Sequence, residues 1–197
     1  MKITDIVKDV YDRNPSCRNL PKYVAFRDIV SNILPVCDGD ILEIGAFQGD
    51  STVIFLEEAK KIGRKVYVVD PWNGQQEGNE KVYRDFLKRV DGFDNLEVMR
   101  KSSQDNSAIE YISKLSLSFC LIDGLHNKQA VASDIKAVQN SDFKRGIIVV
   151  DDVRDLYNCL GKQKCQDIMD AVNKRQVNGW QHILSPEDWL CTCLVKD

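Results

Sequence analysis

Short apolar strand-like runs alternate with single helix-like segments from about residue 38 onward, and this alternation constrains the fold more than any other feature. The strand-like runs cover residues 41–45, 66–69, 96–99, 119–122 and 146–150. Apolar residues that recur every three or four positions predict helices over 51–62, 77–90, 105–115, 128–139 and 162–176. Since single helices between strands make crossover connections, the pattern predicts an α/β fold with a doubly wound, mostly parallel sheet.

Both ends of the chain depart from this alternation. Two more strand-like runs, 181–184 and 189–195, are separated by only four residues, too few for a parallel crossover, so we expect an antiparallel hairpin that completes a seven-stranded sheet. Helix-like pieces at 3–11 and 22–34 precede the sheet. We expect residues 1–37 to form an N-terminal helical cap at one edge of the sheet, and residues 38–197 to form the main domain.

Length and charge exclude several classes of protein. A chain of 197 residues suits one domain and leaves no room for a full separate substrate domain. The net charge is −3, which argues against nucleic acid as the main partner. The longest apolar run, residues 147–150, is far below the roughly 18 residues of a membrane-spanning helix, so no membrane partner is expected. The seven scattered cysteines favour a reducing, cytoplasmic location.

Residues 43–49, Glu-Ile-Gly-Ala-Phe-Gln-Gly, form the loop after the first strand. Two glycines four positions apart allow a sharp turn and a close approach to a ligand. The G-x-G-x-x-G pattern of dinucleotide binding is absent, which argues against a nicotinamide oxidoreductase. Glu43 would repel a pyrophosphate and suits a cationic ligand group. Asp70 ends the second strand, where an acid accepts hydrogen bonds from ribose hydroxyls, so the loop and this acid indicate a nucleoside without a diphosphate.

These two segments carry a family resemblance. Residues 41–49 resemble the first motif, E/D-x-G-x-x-x-G, of the class I S-adenosylmethionine-dependent methyltransferases, and residues 68–70 resemble their second motif. The resemblance covers roughly residues 38–197 and implies a Rossmann-like methyltransferase fold with S-adenosyl-L-methionine as cofactor. It implies that Glu43 lies near the methionine end of the cofactor and Asp70 on the ribose. The implied cofactor-binding residues are Glu43, Gly45, Ala46, Phe47, Gly49, Ser51, Asp70, Pro71, Trp72, Ser102, Ser103, Asp123 and His126.

The resemblance also implies positions for Trp72 and for the two serines after the third strand. Ser102 and Ser103, after the third strand, are implied near the adenine. The resemblance implies that Trp72 lies beside the ribose; alternatively, Trp72 packs under the next helix.

Three carboxylates end neighbouring strands of the predicted sheet. Asp123 follows the fourth strand, and Asp151 and Asp152 follow the fifth. Carboxylates that converge repel one another unless a cation lies between them, and oxygen ligands without thiolates favour Mg²⁺ or a similar divalent cation. The alternative is that Asp151 and Asp152 cap the following turn while Asp123 lines the cofactor pocket.

The spacing of these acids resembles the metal-dependent small-molecule O-methyltransferases of the catechol and of the macrolide or aminocoumarin sugar type. That resemblance implies that Asp123, Asp151 and Asp152 hold a divalent ion, which binds the hydroxyls of the acceptor and lowers the pKa of the one to be methylated.

His126 follows Asp123 in the order D-G-x-H, at the start of a predicted helix. A histidine takes up a proton near neutral pH, so His126 and Asp123 form the predicted catalytic pair. Alternatively, His126 contacts the cofactor or caps the helix.

The predicted function is therefore divalent-metal-assisted O-methylation of a small hydroxylated molecule, such as a sugar, a polyol or a catechol-like compound. Metal-independent N- or O-methylation of another acceptor and a non-catalytic cofactor-binding partner protein are the alternatives. Only the first 40 residues, 73–79 and 153–164 are left to shape the acceptor pocket. We expect that pocket to be shallow or open, or to be completed by a second subunit of a homodimer.

Overall fold

One seven-stranded sheet forms the centre of the chain, and a computed structural model describes it over residues 1–14, 16, 20–73, 79–154 and 161–197. The strands are β1 (Asp40–Ile44), β2 (Val66–Val69), β3 (Leu96–Met99), β4 (Leu117–Ile122), β5 (Gly146–Val150), β6 (Trp180–Ile183) and β7 (Thr192–Lys196). The helices are α1 (Ile3–Arg13), α2 (Leu20–Ile33), α3 (Asp50–Lys60), α4 (Asn79–Arg89), α5 (Asn106–Ser113), α6 (Lys128–Gln139) and α7 (Lys162–Asn173). A short 3₁₀ helix, Leu34–Val36, follows α2.

The strand order is β3-β2-β1-β4-β5-β7-β6. The first five strands pair in parallel, and β7 pairs antiparallel with both β5 and β6. The predicted fold is confirmed, including the antiparallel hairpin at the end of the chain. Within this hairpin, β7 lies beside β5, and β6 forms the edge of the sheet. The chain therefore reaches the edge first, as β6, and then turns back to form β7.

Helices cover both faces of the sheet, as its apolar strands require. Successive residues of β5 point to opposite sides, so Ile147 lies in the core beneath α1 to α4 and Ile148 in the core beneath α5 to α7. The described residues of α1 and α2 therefore cover a face of the sheet and not its edge. The reason is their apolar content: Phe26 of α2 is fully buried and packs 6.3 Å, between ring centroids, from Phe55 of α3. The division between residues 37 and 38 stays a prediction.

The strand order reverses between β1 and β4, which is where open parallel sheets bind ligands. The backbone N–H of Asp123 donates to the carbonyl of Ile44 at 2.8 Å. A Cβ on Gly45 would lie 2.2 Å from the carbonyl oxygen of Asp123, so only a glycine allows the two loops to run this close together. In the part of the chain that the structure describes, no helix is both long and apolar enough to cross a membrane.

Candidate active site at the carboxyl ends of the strands

The loop after β1 is a tight turn fastened to the end of β2. Gly45 and Gly49 have φ angles of +88° and +87°, and the N–H of Gly49 closes the turn on the carbonyl of Ala46 at 2.7 Å. The backbone N–H groups of Ala46 and Phe47 donate to Oδ2 of Asp70 at 2.8 and 3.1 Å. The acid predicted to hold the ribose therefore also fixes the backbone of the glycine loop.

Glu43 lies beneath this loop and is fully buried. The hydroxyls of Ser51 and Thr52, at the start of α3, donate to its two carboxylate oxygens. Burial raises the pKa of Glu43 to about 7, although the two hydroxyl groups act in the opposite direction. The Ser51 side chain, predicted to contact the cofactor, is thus bound to Glu43, and Thr52 is a contact that sequence reasoning missed.

Trp72 also supports the loop after β1. Its ring lies 4.8 Å from the ring of Tyr83 and 4.8 Å from that of Phe86, between centroids, and its Nε1–H donates to the carbonyl of Phe47 at 2.8 Å. This is the packing under the next helix that the sequence offered as an alternative. Pro71, beside it, is partly exposed, whereas 59% of Phe47 is exposed at the surface of the loop.

The loop after β3 is organised by two residues that sequence reasoning missed. Gln104 donates from its backbone N–H to Oγ of Ser102 at 3.2 Å, and from Nε2 to Oγ of Ser103 at 3.1 Å. The same Nε2 donates to Oδ1 of Asp134 on α6 at 2.7 Å. Burial raises the pKa of Asp134 to about 6, against the hydrogen bonds from Ser103 and Gln104. Asp134 could have been found from the sequence, because it is an acid next to Ile135 on the apolar, buried face of α6.

Three of the predicted site residues converge where β4 and β5 end. Nε2 of His126 lies 3.4 Å from Oδ2 of Asp152 and 3.8 Å from Oδ1 of Asp123. Asp123, His126 and Asp152 each offer a ligand atom within 4.8 Å of the others, and Asp151 is not in this group. Burial lowers the pKa of His126, so the ring is neutral at neutral pH and can accept a proton.

Asp151 instead pairs with a lysine from the N-terminal part of the chain. Nζ of Lys22, on α2, donates to Oδ2 of Asp151 and lies 3.6 Å from Oδ2 of Asp123. Burial lowers the pKa of Lys22, but Asp151 and Asp123 outweigh that effect and raise it above its ordinary value. Burial and the neighbouring Asp151 in turn raise the pKa values of Asp123 and Asp152. No motif in the sequence pointed to Lys22.

A family model described as a methyltransferase domain matches residues 42–153, which include the glycine loop and all three aspartates. The chain belongs to this methyltransferase family. The resemblance to the class I methyltransferases is confirmed at the level of family and fold. No curated protein matches the methyltransferase chain in sequence.

Solved structures share the fold of this methyltransferase at low sequence identity. SAH-bound PaMTH1, a methyltransferase from Podospora anserina, has a TM-score of 0.64 and 14% identity, over 98% of this chain and 88% of that one. An O-methyltransferase from Bacillus cereus in complex with SAH has a TM-score of 0.59 and 17% identity, over 98% and 91%. Cofactor-bound Rv0187 from MTB has a TM-score of 0.65 and 15% identity, over 98% and 88%.

Proposed function

We propose that this methyltransferase transfers the methyl group of S-adenosyl-L-methionine to a hydroxyl oxygen of a small hydroxylated molecule, such as a sugar, a polyol or a catechol-like compound. The observation that carries the proposal is that the glycine loop contacts the backbone of Asp123, whose side chain lies together with those of His126 and Asp152. Two similar folds, PaMTH1 and the O-methyltransferase from Bacillus cereus, hold SAH in their structures.

The cofactor would lie across the ends of β1, β2 and β3. Asp70 and the backbone of residues 45–49 would hold the ribose and the methionine end, with Glu43 beneath them. Ser102 and Ser103 would lie near the adenine, where Gln104 adds an amide. Phe47 would cover the cofactor from the solvent side, since its backbone is held by Asp70 and its ring is exposed.

The reaction would be an in-line displacement. The acceptor oxygen forms a bond with the methyl carbon while the bond between that carbon and the sulfonium sulfur breaks, and the acceptor proton passes to Nε2 of His126. Asp152 and Asp123, at 3.4 and 3.8 Å from Nε2, would stabilise the imidazolium that results. Catalysis would then depend on alignment of the oxygen with the methyl group and on removal of one proton.

The Mg²⁺ ion predicted from the sequence fits this arrangement poorly. Mg²⁺ prefers six oxygen ligands in a regular octahedron, and a cation that bound the acceptor would lower the pKa of its hydroxyl. Of the three predicted ligands, Asp151 is paired with Lys22, and the converging group of Asp123, Asp152 and His126 contains an imidazole nitrogen. No step of the proposed reaction is therefore routed through a metal ion.

The test is direct. Calorimetry should show stoichiometric binding of S-adenosyl-L-methionine, and incubation with panels of sugars, polyols and catechols should give a methylated product and SAH by mass spectrometry. An acceptor methylated only on nitrogen would contradict the O-methylation. Binding of the cofactor without transfer to any acceptor would favour the non-catalytic partner protein, and failure to bind it would contradict the proposal as a whole.

A further inference from the structure

Lys22 places an ammonium group where the sequence predicts a divalent metal ion. Its Nζ donates to Oδ2 of Asp151 and lies 3.6 Å from Oδ2 of Asp123, and these are two of the three predicted metal ligands. We propose that Lys22 is the resident cation of this acidic site and that it keeps divalent metal ions off Asp123 and Asp151. Methyl transfer by this chain would then need no divalent metal.

Asp151 is a buried carboxylate whose counter-charge comes from Lys22. Its side chain has no exposed surface, and a carboxylate removed from water without a counter-charge is strongly destabilising. Oδ1 of Asp151 has no hydrogen-bond partner among the described residues, so the compensation falls on Oδ2 and its ion pair with Lys22. Lys22 therefore supplies the counter-charge of a buried carboxylate and is not an incidental surface contact.

Lys22 is held in place by the packing of α2. It stands near the start of α2, and Phe26, one turn further along, is fully buried against Phe55 of α3. Nζ of Lys22 lies 5.7 Å from the centroid of the Phe26 ring, within the range of a cation–π interaction. Only 17% of the Lys22 side chain is exposed. The ammonium group is therefore positioned by a packed helix and would not readily be displaced.

Lys22 and a divalent ion would exclude each other from these carboxylates. A divalent ion on Asp151 would sit beside a buried ammonium group, and like charges this close repel strongly in a partly buried site. The two cations therefore compete for the same carboxylates, and the protein carries one of them on its own chain. Asp152 and His126 lie outside this ion pair and remain available to the acceptor.

The test measures metal binding in the folded protein and needs no acceptor. Mn²⁺ is titrated, by electron paramagnetic resonance, into the wild type, Lys22→Met, Lys22→Arg and the control Lys8→Met, which alters an exposed lysine of α1. We expect no stoichiometric Mn²⁺ site in the wild type, Lys22→Arg or Lys8→Met. Lys22→Met should bind Mn²⁺ about tenfold or more tightly than the wild type, because one neighbouring positive charge has been removed. Turnover of the wild type should be unchanged by EDTA.

Stoichiometric Mn²⁺ binding by the wild type, or Lys22→Met without a gain in affinity, would overturn the inference. If Lys22→Met does not fold, the wild-type titration still decides, and thermal denaturation of Lys22→Met/Asp151→Asn provides a second measurement. We expect this double variant to be more stable than either single variant, because it removes both charges of the pair. Equal or lower stability would contradict the pairing. Only the expectation about EDTA and turnover rests on the proposed function. If the Mn²⁺ results are as expected but no methyl transfer is found, the proposed function is contradicted and the role of Lys22 is not.

Discussion

Oδ2 of Asp70 accepts a hydrogen bond from the backbone N–H of Ala46 at 2.8 Å, and this bond joins the end of β2 to the loop after β1. The same oxygen accepts from Phe47, and Oδ1 accepts from the N–H of Trp72 at 2.7 Å. One carboxylate thus fixes both loops that would hold the cofactor. Loss of its charge should therefore change cofactor binding even before any contact with the ribose is considered.

Asp70→Asn should weaken the binding of S-adenosyl-L-methionine about tenfold or more, because hydrogen bonds to a charged acceptor contribute about 1.5–3 kcal/mol each and the amide of asparagine can replace them only in part. Calorimetric titration measures the effect. Asp94→Asn is the matched control, since Asp94 pairs with Lys60 and 82% of its side chain is exposed. Equal affinities in all three proteins would show that Asp70 does not organise the loop.

Glu43 should make the stability of the protein depend on pH. Its pKa is about 7 in the folded protein against an ordinary 4.5, because burial disfavours the charged form. Between these pH values the folded state binds more protons than the unfolded state, so the contribution of Glu43 to the free energy of unfolding falls as the pH rises. Glu43→Gln removes this term, and its stability relative to the wild type should increase by up to about 3 kcal/mol from about pH 4.5 to about pH 7.

Urea unfolding of both proteins at about pH 5 and at about pH 7.5 checks this expectation. A comparison with the wild type is essential, since Asp134 also has a raised pKa and contributes a slope of the same sign to both proteins. A constant difference in stability across this range would mean that Glu43 is ionised throughout in the folded protein.

The sequence was sufficient for the sheet and for the acids at its carboxyl edge. The bounds of β2, β3, β5 and α6 agree with their predicted limits, because short apolar runs and periodic segments there end at glycine, proline or polar residues. The proximity of Asp123 and Asp152 could be predicted, since the carboxyl ends of neighbouring parallel strands lie at the same edge of the sheet. The bounds of the other strands and helices differ from their predictions by up to three residues, and β7 begins at Thr192 and not at residue 189.

The partner of Asp151 could not be predicted in the same way. Lys22 and Asp151 are 129 residues apart, and their contact depends on the angle at which α2 crosses the sheet, which no local pattern records. The sequence predicts the N-terminal helices at an edge of the sheet. Their true position on a face of the sheet is what brings Lys22 to the site.

His126→Gln should lower kcat by about 10²–10⁴-fold and leave the affinity for S-adenosyl-L-methionine within a few-fold of the wild type, because a general base acts on the acceptor and not on the bound cofactor. Steady-state kinetics and calorimetry separate the two effects. His182→Gln is the control, since His182 lies on β6 and pairs with Asn173 and Thr192 away from the converging acids. An unchanged kcat in His126→Gln would assign the proton to another group.

Gly45→Ala should destabilise the protein by about 4 kcal/mol or more, because the new Cβ would meet a backbone carbonyl that cannot move without shifting β4. That Cβ would lie 2.2 Å from the carbonyl oxygen of Asp123, at a φ of +88°. Gly63→Ala is the matched control: its φ is +69°, but its Cβ would have no neighbour within 4 Å. The control should lose only about 1–2 kcal/mol of backbone strain. Similar losses in the two variants, measured by urea unfolding, would mean that the loops after β1 and β4 are not in close contact.

Asp134→Asn should weaken cofactor binding several-fold without lowering kcat at saturating cofactor. Nε2 of Gln104 donates to Oδ1 of Asp134 at 2.7 Å and to Oγ of Ser103 at 3.1 Å, so both N–H groups are occupied and the amide orientation is fixed. In the proposed site this leaves the carbonyl oxygen of Gln104 as the acceptor for the adenine amine. An asparagine can offer its own N–H groups to Gln104, which removes the preference for one orientation of the amide. Asp12→Asn, on the exposed side of α1, is the control. If Asp134→Asn and the wild type have equal affinities for S-adenosyl-L-methionine and equal kcat values, Asp134 does not position Gln104 for the cofactor.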